Sequence, residues 1–188
     1  MQILVSGATG YIGKRLIPLL LNEGHTVICV VRDKERALKS FINHKNTIIA
    51  EADFLKTNTL INIPKQIDVA YYLIHSMSNS SSEFHSLEEK CAENFKYFME
   101  TTLVKQVIYL SGITNDTKLS KHLLSRKNVE NILQSNIYAL TTFKAGIIVG
   151  SGSSSFEISE NQSIHLSNFL SSEIFSITNK IESVRKVA

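Results

Sequence analysis

The stretch that most constrains the fold is the amino terminus, Ile3-Leu4-Val5-Ser6 followed by Gly7-Ala8-Thr9-Gly10-Tyr11-Ile12-Gly13. A run of branched apolar residues, three glycines spaced three apart and an apolar pattern at helical spacing describe a buried strand, a tight turn and a helix. The turn at Gly7 calls for permissive dihedrals, Gly10 for a backbone that a pyrophosphate can approach, and Gly13 for close packing of helix on strand. The helix then aims its unpaired N–H groups and positive dipole end at the phosphates. Gly7, Thr9, Gly10, Tyr11, Ile12 and Gly13 are therefore candidate contacts for a dinucleotide, against the plainer reading of a glycine-rich loop.

The rest of the chain sets limits on what surrounds that loop. Its 188 residues suit one sizeable core and not two. A hydrophobic content of 43% with 20% charged residues is that of a globular protein, and no apolar run approaches bilayer length. No charged leader precedes the first apolar run, so no secretory signal is expected. Cys29 and Cys91 each fall in an expected core element, which points to buried free thiols in a reducing cytoplasm, with no disulfide and no metal site. A net charge of +3 from scattered lysines forms no basic stripe, so nucleic acid is not an expected partner, and without a spanning run neither is a membrane.

Periodicity then orders the elements. A helix is expected over about 11–23 with Ile12, Leu16, Leu19 and Leu20 inward and Pro18 inside it, and a second strand over 25–31. Strands are also expected over 47–50, 67–74, 106–110 and 137–143, the last continuing toward Gly150. Helices are expected over about 34–41, 83–101 and 119–134. Strand alternating with helix implies an α/β doubly wound parallel sheet, the Rossmann arrangement, with strand order 3-2-1-4-5-6 and helices on both faces. In the helix over 83–101, Phe84, Leu87, Cys91, Phe95 and Phe98 read as a core or subunit-interface stripe.

In such a sheet the ligand lies at the carboxyl ends of the strands. The second strand ends in Arg32-Asp33, nineteen positions past Gly13, where an acid selects the free ribose hydroxyl of NAD and a base selects the 2′-phosphate of NADP. Arg32 favours NADP, with NAD as the alternative. Asp33 reads either as a ribose ligand or, preferably, as the N-cap of the next helix. Asp53 and Phe54 lie where an adenine edge would bind, Asp53 having an equal reading as a cap. His75 and Ser76 follow the fourth strand and are site candidates by position.

With these pieces placed, the chain resembles the atypical and extended short-chain dehydrogenase/reductases, in particular the NmrA-like, NAD(P)-binding, nucleoside-diphosphate-sugar-epimerase-like members, with a C-terminal truncation. The resemblance runs from Met1 to about Ile158. It rests on the glycine loop, Val31-Arg32-Asp33, Ala52-Asp53, Tyr72-Leu73-Ile74-His75-Ser76-Met77, Tyr109-Leu110-Ser111-Gly112 and Ser125-Arg126-Lys127-Asn128-Val129-Glu130. It implies a catalytic serine after the fifth strand, at Ser111, and a tyrosine and lysine four apart on the following helix. A tyrosine there moves a proton at the reacting carbonyl while a cation lowers its pKa. This chain instead has His122 and Arg126 at those positions, either as substitutes or as surface residues one helical turn apart. Tyr72 and Tyr109 read as strand-core aromatics.

The resemblance divides the chain into an NAD(P)-binding domain over 1–158 and a divergent tail over 159–188. In the tail Leu170, Ile174, Ile177, Ile181 and Val184 repeat at helical spacing, as an amphipathic helix over about 167–186 would. The expected function is an NADP-preferring reductase or epimerase-like protein acting on a small molecule. The alternative is a module that senses NADP(H) or serves as a scaffold without turnover. A monomer or a homodimer through the helices over 83–101 and 119–134, in the cytoplasm, completes the expectation.

Overall fold

The first strand, β1 (Gln2–Ser6), is almost wholly buried, as is β2 (Thr26–Val31), so their unbroken apolar runs belong to a sheet covered on both faces. The computed structural model describes residues 1–38, 44–75, 82–113, 121–146 and 148. Its remaining elements are α1 (Tyr11–Asn22), α2 (Lys34–Leu38), β3 (Thr47–Glu51), a 3₁₀ turn (Thr57–Asn62), β4 (Val69–Tyr72), α3 (Ser82–Glu100), β5 (Gln106–Gly112), α4 (Lys121–Ile132) and β6 (Ala139–Ala145). All the strand pairings are parallel and run in the order β3-β2-β1-β4-β5-β6. This is the expected doubly wound sheet.

Each pairing carries one strand's carboxyl end to the same edge, and chain order reverses between β1 and β4. A crevice opens at that reversal. On one face of the sheet, Leu4, Ile28, Ala70, Tyr72, Val107 and Tyr109 pack with Phe95, Met99, Val129 and Leu133 in one buried cluster. Phe95 is its hub: its ring meets Phe54 and Tyr72 edge-on, at centroid distances of 5.2 and 4.8 Å. Such tilted pairs add about 0.5–1.5 kcal/mol to the area they bury.

The other face is covered by α1, which buries Gly13, Leu16, Ile17, Leu20 and Leu21. Leu19, expected inward, is 37% exposed. The buried stripe follows a helical repeat that begins on Gly13, and Leu19 falls off it. Pro18 sits inside α1 on its exposed side, where water can take the carbonyl that its missing N–H leaves unpaired. Leu87, expected in a core or subunit-interface stripe of α3, is not in the core: it is 50% exposed and stands where α3 borders the crevice.

Met1–Ala145 forms one compact unit. The expected boundary at 158, the tail over 159–188 and its helix lie outside the described residues.

Candidate functional site

The chain leaves β1 through Ser6, whose buried hydroxyl donates to the Tyr71 carbonyl oxygen at 2.9 Å and accepts the Leu73 N–H at 3.3 Å. That clasp brings the exits of β1 and β4 together. Gly7 then turns with φ of +70°, and a Cβ on it would lie 2.6 Å from the Leu73 carbonyl oxygen. No other residue fits there without moving the backbone.

The turn closes with Gly10 N–H on the Gly7 carbonyl at 2.9 Å. Gly10 is the N-cap of α1, and no side chain caps the first turn. The first-turn donors thus face outward, as an anion site requires. A Cβ on Gly10 would find one neighbour, the Gly7 oxygen at 3.1 Å, whereas one on Gly13 would meet the Gly7 and Ala8 carbonyl oxygens at 2.5 and 2.7 Å. Gly10 leaves space for a ligand, and Gly13 lets the helix sit on its own loop. The residues present fit a dinucleotide phosphate cradle.

A cleft of about 440 Å³ opens from this loop along the carboxyl ends of β1, β2 and β4. Seven of the residues expected at the cofactor line it: Gly7, Thr9, Gly10, Arg32, Asp53, Phe54 and His75. Tyr11, Ile12 and Gly13 form the adjacent first turn of α1. The Arg15 guanidinium lies 3.7 Å over the Tyr11 ring and places a cation by the cradle. Ser76 lies outside the described residues. Two other hollows, of about 550 and 580 Å³, lie near the amino ends of β5 and β6, away from the glycine loop.

Asp33 and Asp53 sort themselves by their hydrogen bonds. Asp33 Oδ1 accepts the Arg36 N–H at 2.8 Å, so Asp33 is the N-cap of α2. Glu51 Oε1 accepts the Lys34 N–H at 3.3 Å on the same helix end. Asp53 Oδ1 accepts the Leu55 N–H at 3.0 Å, an Asx turn that shapes the loop while the residue still borders the cleft. Phe54 is 2% exposed with its ring against Phe95; it floors the cleft more than it faces into it. Asn94 holds this loop from α3, donating to the Phe54 carbonyl at 2.6 Å.

Ser111 and Arg126 form a second group at the carboxyl end of β5. Ser111 is wholly buried. The Tyr109 phenol donates to the Arg126 carbonyl oxygen at 3.3 Å and lies beside the Ser111 hydroxyl, which by distance and angle has no hydrogen-bond partner among the described residues. The Arg126 side chain runs beside Gly112, its Cδ 3.4 Å from where a Cβ on that glycine would be. Burial pushes the Tyr109 phenol up to about 12, the neighbouring Ser111 hydroxyl and then the Arg126 charge offsetting part of that, and burial lifts Tyr72 well above its ordinary value. Both remain protonated core aromatics. His122 stands in the first turn of α4; its side chain lies outside the described residues.

The cleft also has a wall with no sign in the sequence, made by Leu87, Glu88 and Cys91 of α3. Glu88 falls off the apolar stripe and reads as an exposed charge, yet its Oε2 accepts the hydroxyl of Ser125 on α4. Cys29 and Cys91 are buried, and burial pushes their thiols up to about 12 and about 11. Among the described residues no group of three His, Cys, Asp or Glu could hold a metal, and no helix is long and apolar enough to cross a membrane.

Residues 7–146 match the family described as NAD(P)H-binding. The photosystem II assembly factor Ycf39 of Synechocystis sp. is 24% identical over 170 residues, which cover 87% of this chain and 51% of that protein. An isoflavone reductase homolog from Lupinus albus is 28% identical over 140 residues, covering 63% of this chain and 44% of that one. The structure of Citrobacter sp. triphenylmethane reductase complexed with NADP(H) matches with a TM-score of 0.65 at 16% identity, over 77% of this chain and 49% of that one. A likeness at that identity speaks to the fold. The chain spans about half the length of the curated relatives it matches.

Proposed function

The chain belongs to the NAD(P)H-binding family, and from that premise we propose that it binds NADP(H) in preference to NAD(H) and acts as a reductase or epimerase-like protein on a small molecule. One observation carries the preference: Arg32 lines the cleft at the end of β2, while the two carboxylates beside it, Asp33 and Glu51, accept backbone N–H groups of α2. A 2′-phosphate would meet the guanidinium, which suits a phosphate better than any other side chain. Gly7, Thr9, Gly10 and the first turn of α1 would hold the pyrophosphate, and Asp53, Phe54 and His75 would border the adenosine and the path from it.

When bound, the cofactor supplies hydride chemistry. The chain's own contribution would be Ser111 toward a substrate oxygen, Arg126 as a fixed cation at the end of β5, and His122 or water as the proton carrier. A second reading, binding without turnover, is favoured by the sealed Ser111 hydroxyl, which no substrate oxygen reaches without local opening. The relatives' names, an assembly factor and a reductase, span both readings. Two buried thiols fit a reducing cytoplasm. Exposed Tyr97 on α3 and Leu124 on α4 would suit a homodimer through those helices, with a monomer as the alternative.

The test is thermal shift with each nucleotide, followed by NADPH oxidation against a panel of carbonyl compounds. A ligand that binds the folded state alone raises its melting temperature, by an amount that grows with the logarithm of its concentration over Kd. NADPH should raise it further than NADH at equal concentration; equal or absent shifts would refute the preference. Turnover abolished by Ser111→Ala supports the enzyme, and saturable binding without turnover on any compound supports the module.

A further inference from the structure

Glu88 belongs to two structures at once. It lines the cleft from α3, and it accepts the hydroxyl of Ser125 from α4. Ser125 is 6% exposed, so its hydroxyl depends on that carboxylate. The next residue, Arg126, is fastened to β5 through its carbonyl by the Tyr109 phenol at 3.3 Å. Consecutive residues of α4 are thus tied to two different walls of the ligand-binding edge. The helix seam continues with Asn128 on Glu89 at 2.6 Å and Ser135 on Glu100 at 2.7 Å, but neither of those carboxylates lines the cleft.

A carboxylate on the wall of a cleft that takes a phosphate-bearing ligand repels that ligand, so ordinary affinity does not explain it. An ionised carboxylate has about four lone-pair positions and can hold the Ser125 hydroxyl while meeting a hydroxyl or water of the occupied cleft. Resting on the reading that the cleft takes NADP(H), we propose that Glu88 and Ser125 are a positioning pair: they transmit occupancy of the cleft to α4 and so set where Arg126 stands. Neither residue touches a reacting atom.

The experiment is amide hydrogen exchange of α4 on the full chain, with and without saturating NADPH, for the wild type, Ser125→Ala, Glu88→Ala and Glu88→Gln, alongside NADPH binding by nicotinamide fluorescence. The glutamine keeps an oxygen that can accept from Ser125 and removes the charge. NADPH should slow exchange over α4 in the wild type and in Glu88→Gln, and the slowing should shrink about fivefold in the two alanine variants, the worth of one hydrogen bond, each protein being compared at an NADPH concentration that saturates it by fluorescence. Full protection in Ser125→Ala, or none in a wild type that binds NADPH, overturns the pair and leaves the cofactor reading standing. A wild type that binds neither NADPH nor NADH overturns both. Should Ser125→Ala fold poorly, the contrast between Glu88→Gln and Glu88→Ala decides: equal protection in the two contradicts the proposal.

Discussion

The Asp33 carboxylate accepts the backbone N–H of Arg36 at 2.8 Å, and of these neighbours at the end of β2 Arg32 lines the cleft while Asp33 does not. An acid beside a basic residue at that position is ambiguous in sequence, since one favours NAD and the other NADP. As the N-cap of α2, Asp33 is engaged with the protein, and Arg32 is left facing the cleft.

Asp33→Ala should therefore act on stability and not on cofactor choice. Loss of the cap should cost about 1 kcal/mol, and Asp33→Asn, which can still cap, should cost less. Both variants should keep the NADPH-to-NADH affinity ratio of the wild type. Urea unfolding and parallel nucleotide titrations check this; a tenfold weakening of NADH alone would make Asp33 a ribose ligand.

The three loop glycines should separate by function when substituted. Gly7→Ala forces a side chain into φ of +70° with its Cβ 2.6 Å from the Leu73 carbonyl oxygen, and should lose about 2 kcal/mol or more. Gly13→Ala, 2.5 Å from the Gly7 oxygen, should be destabilised similarly. Gly10 has ordinary extended dihedrals, φ −73° and ψ 173°. Gly10→Val, whose Cβ would stand 3.1 Å from the Gly7 oxygen at the N-cap of α1, should lose about 1 kcal/mol, less than Gly7→Ala, yet lose NADPH affinity by about a hundredfold as its side chain fills the cradle. A Gly10→Val protein that binds NADPH normally would show that the pyrophosphate lies elsewhere.

Burial of two thiols and several phenols makes the fold alkali-sensitive, Tyr71, Tyr72 and Tyr138 being the phenols raised furthest. Cys29 and Cys91 are raised from 9.0 to about 12 and about 11, and Tyr109 from 10.0 to about 12. The folded state holds these protons longer than the unfolded chain does. Their contribution to stability is full below about pH 9 and drains away as pH rises toward 11–12, by at most about 1.4 kcal/mol per group per pH unit. Urea midpoints should be level from pH 7 to 8.5 and fall by pH 10.5, with a shallower fall in Cys29→Ala. A midpoint that stays level to pH 10.5 would mean these groups ionise within the fold.

The frame was legible because it rests on apolar runs and glycines. The strands, their order and the cleft residues from Gly7 to His75 follow from local pattern and from the rule that right-handed crossovers place ligands at strand ends. The misreadings have physical reasons. Leu19 seemed inward because a count of large apolar residues overlooks Gly13, whose lack of a side chain is what buries its face of α1. Leu87 fits the stripe of α3, but its turn of the helix borders the cleft and not the sheet. Glu88 was invisible because its partner Ser125 is 37 positions away, and no local rule pairs residues at that distance. The packing of Leu123 and Arg126 of α4 beside Gly112, next to the buried Ser111, is likewise not revealed by the neighbours in sequence.

The measurement that bears most directly on the account is a titration of the intact chain and of Arg32→Ala with NADPH and NADH, followed by nicotinamide fluorescence. The account predicts saturable binding of both nucleotides, with NADPH favoured by about tenfold or more, the scale of a charge-assisted contact to a phosphate. Arg32→Ala should bring NADPH down to the level of NADH and leave NADH unchanged. Equal binding of the two nucleotides by the intact chain, or a preference that survives Arg32→Ala, would contradict the role given to Arg32. Saturation by neither would contradict the dinucleotide cleft itself.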